Sequence, residues 1–167
     1  MLTALSKATP KIANYPFTTL RPHIGIIEYK DFSQVRVADL PGLIEGAHEN
    51  KGLGHQFLKH IERTKALCYV IDVCQDNDPM KEYLILRKEI ELYNPEMLRR
   101  PSILVANKID LPSAKARYLT FLNQFVHHSD KIPIVPLSAK KQSNLDQLKN
   151  VLHSIVHNDP RNIENTS

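Results

Sequence analysis

Ser102-Ile103-Leu104-Val105-Ala106-Asn107-Lys108-Ile109-Asp110 is the stretch that decides the fold. Residues 102–106 read as a buried strand, and the chain turns polar as it leaves it. An Asn-Lys-x-Asp element at a strand exit is suited to reading a guanine ring. The Asp110 carboxylate can accept hydrogen bonds from the N1–H and the exocyclic amine of guanine, which adenine does not offer. The wrong base leaves a buried carboxylate unpaired, and that cost makes the discrimination. Asn107 can brace the neighbouring loop, and the Lys108 stem can lie over the base. At the next strand exit stands Ser138-Ala139-Lys140, where the Ala139 N–H suits the guanine O6. Each element alone also fits a plain strand exit or a helix cap; their pairing carries the reading.

Working outward, strands alternate with helices. Residues 66–73 form an apolar run expected of a parallel strand covered on both faces. Helices are expected over 79–93, with Met80, Leu84, Ile85 and Ile90 on one stripe, over 114–127 and over 144–157. A strand over 132–137 belongs near an edge because of Pro133 and Pro136. Residues 158–167 read as a polar tail. Toward the N-terminus a short helix is expected over 2–8, a loop over 14–22, and strands over 23–29 and 34–38 joined by a turn near Lys30-Asp31. Residues 39–54 are loop-like and hold four of the five glycines. A helix over 55–64 would present Phe57, Leu58 and Ile61. The order implies an α/β three-layer fold with a mostly parallel sheet. In such sheets ligands bind beyond the carboxyl ends of the strands, where Asp39, Asn107 and Ser138 fall.

The chain has 167 residues, 42% of them hydrophobic, which suits one domain with a filled core. No apolar run reaches membrane-spanning length, and the first residues match neither a secretory signal nor a transit peptide. Lysine and arginine number 22 against 18 acidic residues. This mild excess permits RNA contact without requiring it; Lys59, Arg63 and Lys65 read as a solvated face. Cys68 reads as a small buried hydrophobe, and with Cys74 as the only other cysteine there is no disulfide framework. His48, His55 and His60 read as surface or helix-end residues; His55 and His60 fall on different helical faces.

Asp39-Leu40-Pro41-Gly42 follows a strand directly. An acid there can hold magnesium, usually through water, and Gly42 lets its N–H approach a γ-phosphate. Thr18 and Thr19 precede the first hairpin strand, where a hydroxyl can bind magnesium and order the loop in the triphosphate state.

Tyr15-Pro16-Phe17-Thr18-Thr19-Leu20, Asp39 to His48 and Gly52 to Thr64, joined to the guanine elements, make the sequence resemble the Obg family of translation-factor-type GTPases, in its eukaryotic organellar branch. The resemblance covers residues 2–157, an OBG-type G domain, and implies a fold of the P-loop NTPase type. It implies GTP/GDP and Mg2+ as cofactors, with Thr19 and Asp39 at the metal. Phe17, Thr18, Thr19, Leu20 and Arg21 would line the nucleotide, and Asp39, Leu40, Pro41 and Gly42 would sense the γ-phosphate. Asn107, Lys108, Ile109, Asp110, Ser138, Ala139 and Lys140 would hold the guanine. Leu43 stands where Ras-like enzymes place a water-orienting glutamine, so slow intrinsic hydrolysis is expected and no catalytic residue is named. The implied partner is the large ribosomal subunit or its rRNA precursor, not DNA. A monomer is expected, in mitochondria or alternatively the nucleolus.

The sequence contains no Gly-x-x-x-x-Gly-Lys-Ser/Thr. The resemblance places that phosphate loop, and a strand leading into it, ahead of Leu2. The expectation is an incomplete form of a GTPase, with a non-hydrolysing binding module as the competing reading. Three charge-assisted phosphate contacts amount to roughly 5–9 kcal/mol, about four to six decades of affinity. The absent strand would be central to the sheet, so its place needs filling from elsewhere.

Overall fold

A computed structural model describes residues 1–6, 11–12, 23–39, 64–128 and 130–157. The expected loops over 14–22 and beyond Asp39, the helix over 55–64, the three histidines and the tail lie outside them. The chain divides into two compact units, Met1–Lys65 with Ile85–Arg100, and Ala66–Leu84 with Pro101–Ser167.

The first unit holds α1 (Leu2–Leu5), β1 (Lys11–Ile12), β2 (His23–Glu28) and β3 (Gln34–Asp39) in an antiparallel sheet of order β1-β2-β3. The β2–β3 hairpin was legible from alternation: Ile27 and Val35 pair and are both buried. Asp31 Oδ1 accepts from the Ser33 N–H at 3.1 Å and from Ser33 Oγ at 2.7 Å, while Phe32 takes a left-handed φ of 64°. These side-chain bonds replace the glycine a tight turn would otherwise favour. Helix α1 stops sooner than expected, because Ser6 turns extended at ψ 136 and its Oγ accepts from the Ile26 N–H at 3.4 Å. Gly25 permits the close approach of α1: a Cβ there would lie 2.9 Å from Leu2 Cδ1. Strand β1 was not foreseen; two residues are too few for a period-2 pattern. Within Ile85–Arg100 lies a 3-10 turn, Pro95–Arg99, also unforeseen. Asn94 Oδ1 starts it by accepting from the Glu96 N–H at 3.1 Å, and Met97 is fully buried.

The second unit carries β4 (Leu67–Asp72), β5 (Ser102–Asn107) and β6 (Ile134–Leu137), a parallel sheet of order β4-β5-β6. Its helices are the first residues of α2 (Pro79–Tyr93), α3 (Ala114–Val126) and α4 (Leu145–His157). This is an α/β arrangement. Strand β5 is the middle strand and is buried along both faces through Ala106. The proline-bearing β6 takes an edge, as expected.

Two expectations are corrected. Strand β4 is buried on one face only, Leu67, Tyr69 and Ile71; on the other, Val70 is 38% exposed. Cys68 on that second face is part-buried, yet burial pushes its thiol pKa up to about 12. It stays protonated and behaves as a hydrophobe. The stripe on α2 is also different: Tyr83 and Ile90 are buried, while Leu84 and Ile85 are 40% and 36% exposed. Aromatic packing sets this rotation. The Tyr83 ring meets Tyr69 and Phe125 edge-on, each at 5.2 Å between centroids, and its hydroxyl donates to Asp130 Oδ2 at 2.5 Å.

Candidate guanine-binding site

Parallel pairing puts Asn107, the last residue of β5, opposite Leu137, the last of β6. The two loops that follow therefore leave the sheet side by side. Three hydrogen bonds tie them together. Asn107 Oδ1 accepts from the Ala139 N–H at 3.1 Å, Ser138 Oγ donates to Asp110 Oδ1 at 2.5 Å, and the Ile109 N–H donates to the Leu137 carbonyl at 3.3 Å. Lys108 adopts a left-handed φ of 66°, which bends the chain between Asn107 and Asp110. Asn107 thus braces the neighbouring loop, as its position in the motif implied. The Ala139 N–H, expected to meet the guanine O6, here serves Asn107 Oδ1, so the two acceptors would share it.

Ser138 is fully buried, and its hydroxyl also accepts from the Lys141 N–H at 3.0 Å. Its bond to Asp110 is the main cause holding that carboxyl below its ordinary range; partial desolvation opposes it, while Lys140 and Lys141 assist. Asp110 is therefore an acceptor at neutral pH, and its second oxygen has no side-chain partner among the described residues. A depressed carboxylate adds stability that is present above the ordinary aspartate pKa and lost as pH falls through the lowered value. Ser138→Ala should move that loss to higher pH. It should also cost about 1 kcal/mol, since the Lys141 N–H loses its protein acceptor. Urea titrations of both forms across the acid range check both effects.

The Lys108 ammonium lies 2.5 Å from Asp72 Oδ2, and the hydrogen bond and charge of Asp72 raise its pKa. Asp72 ends β4, and its Oδ1 accepts from the Cys74 N–H at 2.9 Å. Sequence reasoning missed Asp72. The available signal was a charged residue closing an apolar parallel strand. Asp39 likewise ends its strand, exposed, in the first unit. Phe17, Thr18, Thr19, Leu20, Arg21, Leu40, Pro41 and Gly42 lie outside the described residues. Among the described residues no three His, Cys, Asp or Glu side chains converge on a metal position, and no helix is long and apolar enough to cross a membrane.

The family model for the 50S ribosome-binding GTPase matches residues 1–108. GTP-binding protein 10 of Danio rerio is 49% identical over 176 residues, covering 91% of this chain and 46% of the relative. GTPase Obg of Akkermansia muciniphila is 43% identical over 158 residues, covering 93% and 44%. The chain thus spans a little under half the length of these curated relatives. Among solved structures, the cytosolic domain of the T. maritima FeoB iron transporter in its GMPPNP form aligns with TM-score 0.67 at 19% identity, covering 92% of this chain and 57% of that one, a likeness of fold. The chain belongs to the 50S ribosome-binding GTPase family and is similar to GTP-binding protein 10 and GTPase Obg.

Proposed function

We propose that this chain is the base-reading part of an Obg-type GTPase whose nucleotide state governs its attachment to the maturing large ribosomal subunit, in mitochondria. The supporting observation is the tie between the two rim loops: Asn107 holds Ala139, and Ser138 holds Asp110. Preorganised acceptors and donors of this kind favour the base whose edge fits them. Asn107, Lys108, Ile109, Asp110, Ser138, Ala139 and Lys140 carry guanine recognition in this reading. The exposed Asp39 carboxylate at the end of β3 is a hard oxygen donor suited to water-mediated Mg2+, with Thr19 as its partner ligand. Bound Mg2+ would neutralise phosphate charge. Phe17 to Arg21 and Leu40 to Gly42 then flank the nucleotide, and reordering around Thr19 and Gly42 signals its state. No general base is assigned, because Leu43 follows Gly42. The protein works as a monomer on the large ribosomal subunit or its rRNA precursor, with no DNA.

Sedimentation with mitochondrial large-subunit precursors tests this. Binding should be stronger with GMPPNP than with GDP and absent with ATP analogues. Equal recovery in all three states would contradict it.

A further inference from the structure

The guanine reading does not use Asp72, yet this carboxylate is placed with unusual care. The parallel register sets Asp72 beside Asn107, immediately before Lys108. Both its oxygens are committed: Oδ1 to the Cys74 N–H, Oδ2 to the Lys108 ammonium. The loop that follows is itself held. Arg117 of α3 donates from Nε to the Val73 carbonyl at 2.7 Å, and from Nη2 to the carbonyls of Gln75 and, at 3.0 Å, Asn77. The guanidinium fork thus pins three carbonyls of one turn, a task a single ammonium does poorly. Cys74 Sγ lies 3.8 Å from the Lys108 carbonyl, closing the loop against the base-reading element.

We propose that Asp72 is a positioning residue of the guanine site, holding the Lys108 ammonium through Oδ2 so that the lysine stem already lies along the base position. The proposal rests on the guanine reading and deepens it. A free lysine loses rotamer freedom when its stem is immobilised against a ligand; a tethered one has lost it beforehand. Stacking on the stem is indifferent to the base edge, whereas Asp110 reads that edge. Asp72 therefore supports affinity and leaves selectivity to Asp110.

The test is fluorescence binding of mant-GDP, with competition by GDP, IDP and ADP up to millimolar concentration. Asp72→Asn keeps an oxygen for the Cys74 N–H and removes only the charge. It should weaken GDP and IDP alike, by about three- to fivefold, a scale set by exposed ion pairs. The GDP-to-IDP ratio should stay constant. In a Lys108→Met background, Asp72→Asn should add nothing. Arg117→Lys, which keeps the charge and loses the fork, should give the same ratio-preserving weakening and serves if Asp72→Asn does not fold. Unchanged affinity in these variants, a changed ratio, or an undiminished effect without Lys108 would overturn the role of Asp72 alone. A parent chain that binds ADP as well as GDP, or that binds neither at millimolar concentration, would overturn the guanine reading, and this proposal with it.

Discussion

Asp110→Asn is expected to exchange guanine for xanthine as the preferred base, with GDP binding weakened about a hundredfold or more. The carboxylate offers only acceptors, matched to the N1–H and 2-amino group of guanine. An asparagine puts an amide donor where one acceptor stood, so the 2-amino group meets another donor. Xanthine carries a 2-oxo group at that position and accepts from the same amide. The fold should survive, because an asparagine oxygen can still accept from Ser138 Oγ, the partner that Asp110 Oδ1 has now. Competition by XDP and GDP checks the exchange. Retention of the GDP preference in the variant would place guanine recognition elsewhere.

Leu104→Ala is expected to cost about 2–5 kcal/mol, the range for truncating a fully buried leucine. Leu104 has no exposed surface and sits in β5 between Tyr69 of β4 and Ile134 of β6. Truncation leaves a cavity in the middle strand of the parallel sheet, with close-packed neighbours that cannot collapse into it. Measured against a typical domain stability of about 5–15 kcal/mol, the loss is large. Val70→Ala removes a smaller group from a site already 38% exposed, and should cost well under 1 kcal/mol. Urea midpoints for the two variants separate the effects. Because β5 also delivers Asn107, guanine binding should weaken in the first and persist in the second.

The parallel sheet and the loop contacts at its carboxyl rim were legible because their signals are local. The short apolar run 102–106 reads as a covered strand, and a polar element at its exit falls at the sheet's carboxyl rim. The Asn107–Ala139 and Ser138–Asp110 contacts follow once β5 and β6 pair in register. What stayed hidden depends on packing across sequence distance. Periodicity favoured Leu84 and Ile85 on the buried face of α2, but the Tyr83 ring, with Tyr69, Phe125 and Asp130 as partners, turns the helix the other way. Asp72 and Lys108 meet only because β4 and β5 run parallel with Asp72 level with Asn107. Arg117 gave no sign in sequence that it would hold the loop after β4. Phe17, Leu20, Arg21, Leu40 and Pro41 were singled out by resemblance alone, whereas Thr18, Thr19 and Gly42 were also read from their own chemistry.

Displacement of mant-GDP by GDP, IDP and ADP, on one preparation at neutral pH, tests the central reading most directly. The predicted order is GDP strongest, IDP at least tenfold weaker for want of its 2-amino group, and ADP without effect at concentrations where GDP saturates. If ADP competed as well as GDP did, Asp110 and its neighbours would not be reading a guanine edge.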